Sequence, residues 1–455
     1  MPDNETTTKK RRKLTVARIL IVLLLTVAAA FVLFRVGLRS KLQARIDAIR
    51  AAGYPVTPAE LDAWYTIPAS AENGADYIVD ALSWYQESLG AVDPDLAQKV
   101  YSAELPPRTE PVDEATKNLT AQHISDNKQA LKLLHKGAAA SHFRYPVDLT
   151  GGFGALMPDL SEIRKAAMLL KLEAVLHAEN AEPQLATDSV ISSFGLARSL
   201  AKEPILISQL VRIACQALSV STLEQVINRT ELTDEQLAEL GERIASAEDL
   251  SDISVGFVGE RCMGISIFQE PESVGPGVVG GMPATPSLSL YRATGLADKG
   301  GLLYLGFMDD YIRLLQLPTH LRQEGADAID AKIEATPKIY ILLHTFMPAL
   351  ARVTTTDIRG IAQLRTARTA LAIQRYHLAN SKLPDALTHL VPTYLDAVPS
   401  DPFDGNDLRY KKLQTGFVVY SIGEDQSDDD GKERPPSRQR KGEPSNYDVT
   451  FIIER

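Results

Sequence analysis

The densest set of side chains able to do chemistry is the acidic run Gly423–Gly431, GEDQSDDDG. Clustered carboxylates and turn carbonyls are the oxygen donors that a hard cation takes. The competing reading is an acid run solvated by water. The ladder of alternating aspartates that an EF-hand uses is absent. Other chemistries lack their residues. Eight histidines are present, and no pair has the i, i+4 spacing with a glutamate that a metalloprotease helix needs. Cys215 and Cys262 have no cysteine or histidine at zinc spacing and read as two buried thiols. There is no Gly-x-Ser-x-Gly elbow. Glu260-Arg261 and Asp309-Asp310 read as solvated faces or ion pairs on helices. The sequence therefore predicts a chain without catalysis, though paired carboxylates brought together by folding would escape a linear reading.

The element that decides where these residues live is Ile19–Phe34, ILIVLLLTVAAAFVLF, which carries no charge. The apolar frame extends over Leu14–Leu38, with Arg18 and Arg35 placed to carry their charge to the headgroups. That is long enough to cross a bilayer core of about 30 Å. Lys9-Lys10-Arg11-Arg12-Lys13 forms a denser basic cluster than the residues that follow, which predicts the N-terminus in the cytoplasm and the body outside. A cleaved signal peptide is the competing reading, because Ala28-Ala29-Ala30 offers a cleavage site. The apolar run continues through Phe34, which favours a retained anchor.

Charge is divided along the chain. The first fifty residues hold eleven basic and three acidic side chains, a net of +8 against −10 for the whole 455 residues, so the remainder carries −18. An acidic body argues against nucleic acid as a partner and against the body lying on anionic lipid.

The body reads as consecutive helices. Thr57-Pro58-Ala59-Glu60 is a helix start, and helices are expected over Ala71–Glu87 and Asn118–His135. Leu160, Ile163, Ala167, Leu170 and Ala174 form an apolar stripe. Glu203-Pro204 separates two further helices, and Thr233 caps the next. Glu270–Leu296 reads as a surface loop rich in glycine and proline. No fixed repeat period appears, so the pattern resembles an array of helical hairpins.

From Ile358 the texture changes. A long helix ends near Asn380. Turns follow, then expected strands at Leu408–Tyr410, Gly416–Ser421 and Tyr447–Ile453, with the polar stretch Lys432–Asn446 expected to be disordered. The ordered signals Ala372-Ile373, Tyr376, Leu383-Pro384, Asp401-Pro402-Phe403, Gly405, Leu408-Arg409-Tyr410, Val419-Tyr420-Ser421, Gly423 and Asp425 resemble the globular end of type II secretion major pseudopilins. The resemblance covers about a fifth of the chain. It implies a small α+β module with an antiparallel sheet, and calcium bound after the Ser-x-Gly-x-Asp segment. The matching positions are Asp425, Asp428, Asp430 and Asp448. A cation there would relieve the repulsion among close like charges. The family's processing signature is not present before the apolar helix, where Lys13-Leu14-Thr15-Val16 stands, so the module resembles a borrowed fold. The whole arrangement also resembles a class of large bacterial membrane-anchored proteins of uncharacterised role.

These readings predict a mainly α chain in four parts. They are a basic cytoplasmic segment (1–13), a transmembrane anchor (14–38), a helical extracytoplasmic body (39–356) and a pseudopilin-like α+β module (357–455). The expected role is that of a single-pass inner-membrane protein, structural or interacting, held to the membrane by its first helix and engaging unidentified protein partners. The alternatives are a component related to type II secretion, and an extracytoplasmic enzyme with a carboxylate site in the helical body.

Overall fold

The computed structural model describes residues 4–87, 94–154, 160–271, 285–347, 350–435 and 447–455. Its helices are α1 (Asn4–Ala51), α2 (Pro58–Trp64), α3 (Gly74–Trp84), α4 (Pro94–Tyr101), α5 (Glu114–Asp126), α6 (Lys128–Ala139), α7 (Leu160–Glu179) and α8 (Pro183–Arg198). They continue with α9 (Leu206–Arg229), α10 (Asp234–Asp249), α11 (Ser254–Gln269), α12 (Thr285–Thr294), α13 (Leu296–Leu314), α14 (Arg322–Glu334), α15 (Ile341–Phe346) and α16 (Leu350–Asn380). Three strands, β1 (Arg409–Lys412), β2 (Phe417–Ser421) and β3 (Val449–Ile453), form one antiparallel sheet in the order β1-β2-β3. The chain is thus mainly helical, with an N-terminal apolar helix and a small sheet near its C-terminus.

The first helix does two jobs along one axis. Val16–Phe34 is exposed along its length, and it is long and apolar enough to span a membrane. Two turns further on, Leu42, Ile46 and Ile49 are buried in a core with Tyr304, Leu305 and Met308 of α13. Arg35, expected at the lipid headgroups, pairs with Asp298, and Arg45 pairs with Asp309. α9 also has the length and composition of a span, but most of it is buried in the body.

The body follows the expected caps. Thr57 Oγ1 accepts from Glu60 N at 3.2 Å, and Thr233 closes a reciprocal capping box with Gln236. The helix expected over Asn118–His135 is divided into α5 and α6 at Asn127. That buried side chain accepts from Gln86 N at 2.8 Å and donates to Gln86 O at 3.0 Å, satisfying a loop that no helix serves. α7, α8 and α9 pack successively on one another, with the predicted Ile163, Ala167, Leu170 and Ala174 buried. The expected loop Glu270–Leu296 contains α12, whose Leu288 and Tyr291 reach the core, so it is shorter than predicted. Pro286 lies within its first turn, where a missing N–H costs nothing. Residues 272–284 of that loop, and residues 436–446 of the expected disordered stretch, lie outside the described residues.

The boundary expected at 356/357 falls inside α16. That helix contacts α9, α10 and α14 as well as β2 and β3. One hydrophobic core joins Val190, Leu223 and Leu240 of the body with Leu371, Phe417, Val419 and Phe451. Val419 pairs with Phe451 across the β2–β3 ladder and with Tyr410 across β1–β2. Gly416 turns the hairpin at φ +78°, and a Cβ there would come within 1.8 Å of Ile453 O.

Candidate functional site: an acidic loop and a Ser-His-Glu network

The resemblance motifs of the module converge on one fully buried carboxylate, Asp401. Its Oδ1 accepts from Phe403 N at 3.0 Å and Ser421 Oγ at 2.7 Å. Its Oδ2 accepts from Ile422 N at 2.9 Å and Arg409 Nη1 at 2.7 Å. Arg409 also reaches Asp404 at 2.5 Å and Asp428 at 3.5 Å. Burial works against ionisation of Asp404, yet Arg409 and Asn406 hold it below the ordinary carboxylate range. This hub ties the Asp-Pro-Phe turn, β1 and the end of β2 together, and it leaves no acceptor of Asp401 idle.

The expected calcium ligands are spread around that hub. Exposed Asp425 accepts from Ser427 N at 3.2 Å. Asp428 accepts from Asp430 N at 3.0 Å, and Asp430 pairs with Lys411. Asp448, buried, accepts from Gly431 N at 2.7 Å. Burial, and then Asp428 and Asp429, raise the Asp448 pKa above its usual value, although the Gly431 and Asp429 amides oppose this. The four carboxylates face four different sets of partners, and among the described residues no three acid, histidine or cysteine side chains are arranged to hold a metal ion. As placed, the set does not fit one cation. The loop is tied to the body instead through Glu424, which the sequence did not single out. Its carboxylate meets Arg359 at 3.0 Å and its carbonyl accepts from Gln323 at 3.0 Å.

A second constellation lies in the body, and folding alone creates it. His135 on α6 has Ser192 Oγ of α8 at 2.7 Å from Nδ1 and Glu173 Oε2 of α7 at 2.8 Å from Nε2. Ser189 Oγ donates to the same glutamate oxygen at 2.8 Å. With Glu173 ionised, Nε2 carries the proton and the neutral ring leaves Nδ1 to accept from Ser192. Burial opposes protonation of His135, but Glu173 and then Asp188 hold its pKa above the ordinary value. Ser192 lines a cavity of about 140 Å³ with Gly195, Arg198, Arg243 and Ser246.

Arg198 donates through Nη2 to Ala138 O at 2.9 Å and Ala140 O at 2.7 Å, while its buried Nε has no partner among the described residues. Burial, and then Arg243, lower its pKa. The arrangement offers a hydroxyl, a proton acceptor and an orienting carboxylate beside two cations. Ser192 stands inside α8, whose backbone N–H groups are used by the helix, so charge developing at the cavity would meet the guanidinium groups rather than a backbone hole.

No linear signal marks these three residues, which are separated by 38 and 57 positions from His135. Of the charges read as solvated faces or ion pairs, Arg261 and Asp309 form an ion pair at 2.8 Å. Cys215 and Cys262 are free and buried. No family model, curated protein or solved structure matches the chain.

Proposed function

We propose that this is a single-pass cell-envelope protein whose N-terminal helix crosses the cytoplasmic membrane and holds a non-catalytic, interacting body on the outer side. The observation that carries this reading is the continuity of α1. An exposed apolar segment passes without a break into buried Leu42, Ile46 and Ile49. The apolar run does not stop at Ala28-Ala29-Ala30 but continues through Phe34 in the same helix, which supports a retained anchor over a cleaved leader. The dense basic cluster before the span supports the N-in orientation. The module is read as a pseudopilin-like fold built onto that body, with relation to a secretion assembly as its extension. Alkaline carbonate extraction with intact mass measurement tests retention. The reading expects the full chain, residues 1–51 included, in the membrane pellet; a soluble chain shortened near Ala30 ends it.

A second reading is favoured by Ser192, His135 and Glu173: a hydrolase acting on small esters. Ser192 Oγ would bond to the ester carbonyl carbon and pass its proton to His135. His135 would return that proton to the departing alkoxide, and water would release the acyl group. A fluorophosphonate probe on the full-length protein tests it. Labelling of the wild type but not of Ser192→Ala supports a nucleophile, and an unlabelled wild type leaves a structural network.

A further inference from the structure

A polar cavity of about 250 Å³ opens where the exposed part of α1 ends. Residues 16–34 rise about 28 Å as a helix, close to the thickness of a hydrocarbon core. Arg35 and Arg39 follow at once, one turn apart on the same face, with Leu42 and Gln43 a turn beyond. Arg292 of α12 closes the cavity from the side, Gln269 and Glu270 at the end of α11 supply another wall, and Asp298 supplies the last. The start of α13 presses close: a Cβ on Gly295 would fall 2.6 Å from Arg35 Nη1.

Asp298 engages Arg35. Arg39 is exposed and makes no ion pair among the described residues. The cavity lining thus carries three arginines against two carboxylates, Glu270 and Asp298, just past the apolar segment of α1.

We propose that this cavity seats the phosphate of an anionic phospholipid from the outer leaflet, with Arg39 as its donor and the acyl chains lying along Val32–Val36. Guanidinium groups suit a phosphodiester because they bond it through two parallel N–H groups. Basic pockets at the edge of a membrane helix hold lipid headgroups by this chemistry. The general repulsion between an acidic body and anionic lipid is offset locally, and the bound lipid fixes the height of the body above the bilayer. The proposal rests on α1 being a membrane span.

Native mass spectrometry of the full chain in detergent tests it, with phosphatidylglycerol and phosphate-free diacylglycerol as probes. The wild type should retain one phosphatidylglycerol and no diacylglycerol, and Arg39→Gln should weaken retention about fivefold, the worth of one surface cation. Equal retention of the two lipids, or unchanged retention by Arg39→Gln, overturns the proposal. Melting of the variant at the wild-type temperature shows that any loss is local. Carbonate extraction separates the two ideas: a chain released from the membrane fails as a span, whereas an embedded chain without lipid preference fails only at this cavity.

Discussion

Asp401 in the module and Glu173 in the body are both carboxylates buried among polar partners, yet their surroundings differ in one respect. Asp401 is enclosed by its own turn and strand, and every donor that reaches it is spent on holding the fold. Glu173 holds His135, whose side chain keeps 33% of its surface exposed and whose other nitrogen meets a serine at the wall of a cavity. A closed network gives stability, and an open one leaves a group free to react. The short motif around Asp401 was visible in the sequence because the partners lie within about twenty residues. The Glu173 network joins three helices and was not.

Breaking the closed hub should have the largest effect. Asp401→Asn leaves Arg409 with only Asp404 and the more distant Asp428, and removes the charge that four donors share. A loss of about 3–5 kcal/mol is expected, read by thermal melting of the full chain in detergent. Because the sheet and body share one core, a single coordinated transition should move. A separate early transition would show that the module melts alone.

Opening the other network should cost less. Glu173→Gln is expected to lose about 1–3 kcal/mol, since Ser189 and His135 keep a neutral partner. It should also lower the His135 pKa, followed by NMR of its ring protons. An unchanged titration would mean that Glu173 does not set the proton on His135.

The pH dependence has a definite sign. Burial carries Asp357 up to about 7 despite Arg212 and Arg322, and carries Glu224 up to about 7 despite Arg108. Both groups bind protons more tightly folded than unfolded. Their contribution is complete below about pH 4 and is lost as the pH rises to 7. His135 acts in the same direction: raised on folding, it gives stability that is lost as the pH passes its folded value. The melting temperature should therefore fall between pH 6 and pH 8, and the fall should be shallower in Glu173→Gln. A rise over that window contradicts these assignments.

Two smaller effects sharpen the contrast. Thr233→Ala removes half of a capping box and should cost about 1 kcal/mol, with no change at either network. Calcium and EDTA should give the same melting temperature for the wild type, because Asp425, Asp428, Asp430 and Asp448 are each held by separate partners and, among the described residues, no three such side chains are arranged for a metal ion. A rise with calcium would show that the loop regathers around Asp448.

What was legible followed the range of the interaction. Thr57, Thr233, the α7 stripe and the three strands are set by residues a few positions apart, so local chemistry located them. The break at Asn127 depends on Gln86, and the fate of Arg35 depends on Asp298, 263 residues away. Nothing local encodes either. The apolar part of α1 was visible in the sequence, but its passage into the body's core was not, because Leu42, Ile46 and Ile49 look the same whether they meet lipid or protein.

The central claim is that everything beyond α1 lies outside the cytoplasm, and Ser427 gives direct access to it. Ser427 is exposed, and the two native cysteines are buried, so Ser427→Cys supplies a single reactive thiol. A membrane-impermeant maleimide applied to intact spheroplasts should label it fully, with no gain on lysis. Labelling that appears only after the membrane is opened would place the body inside and contradict the account.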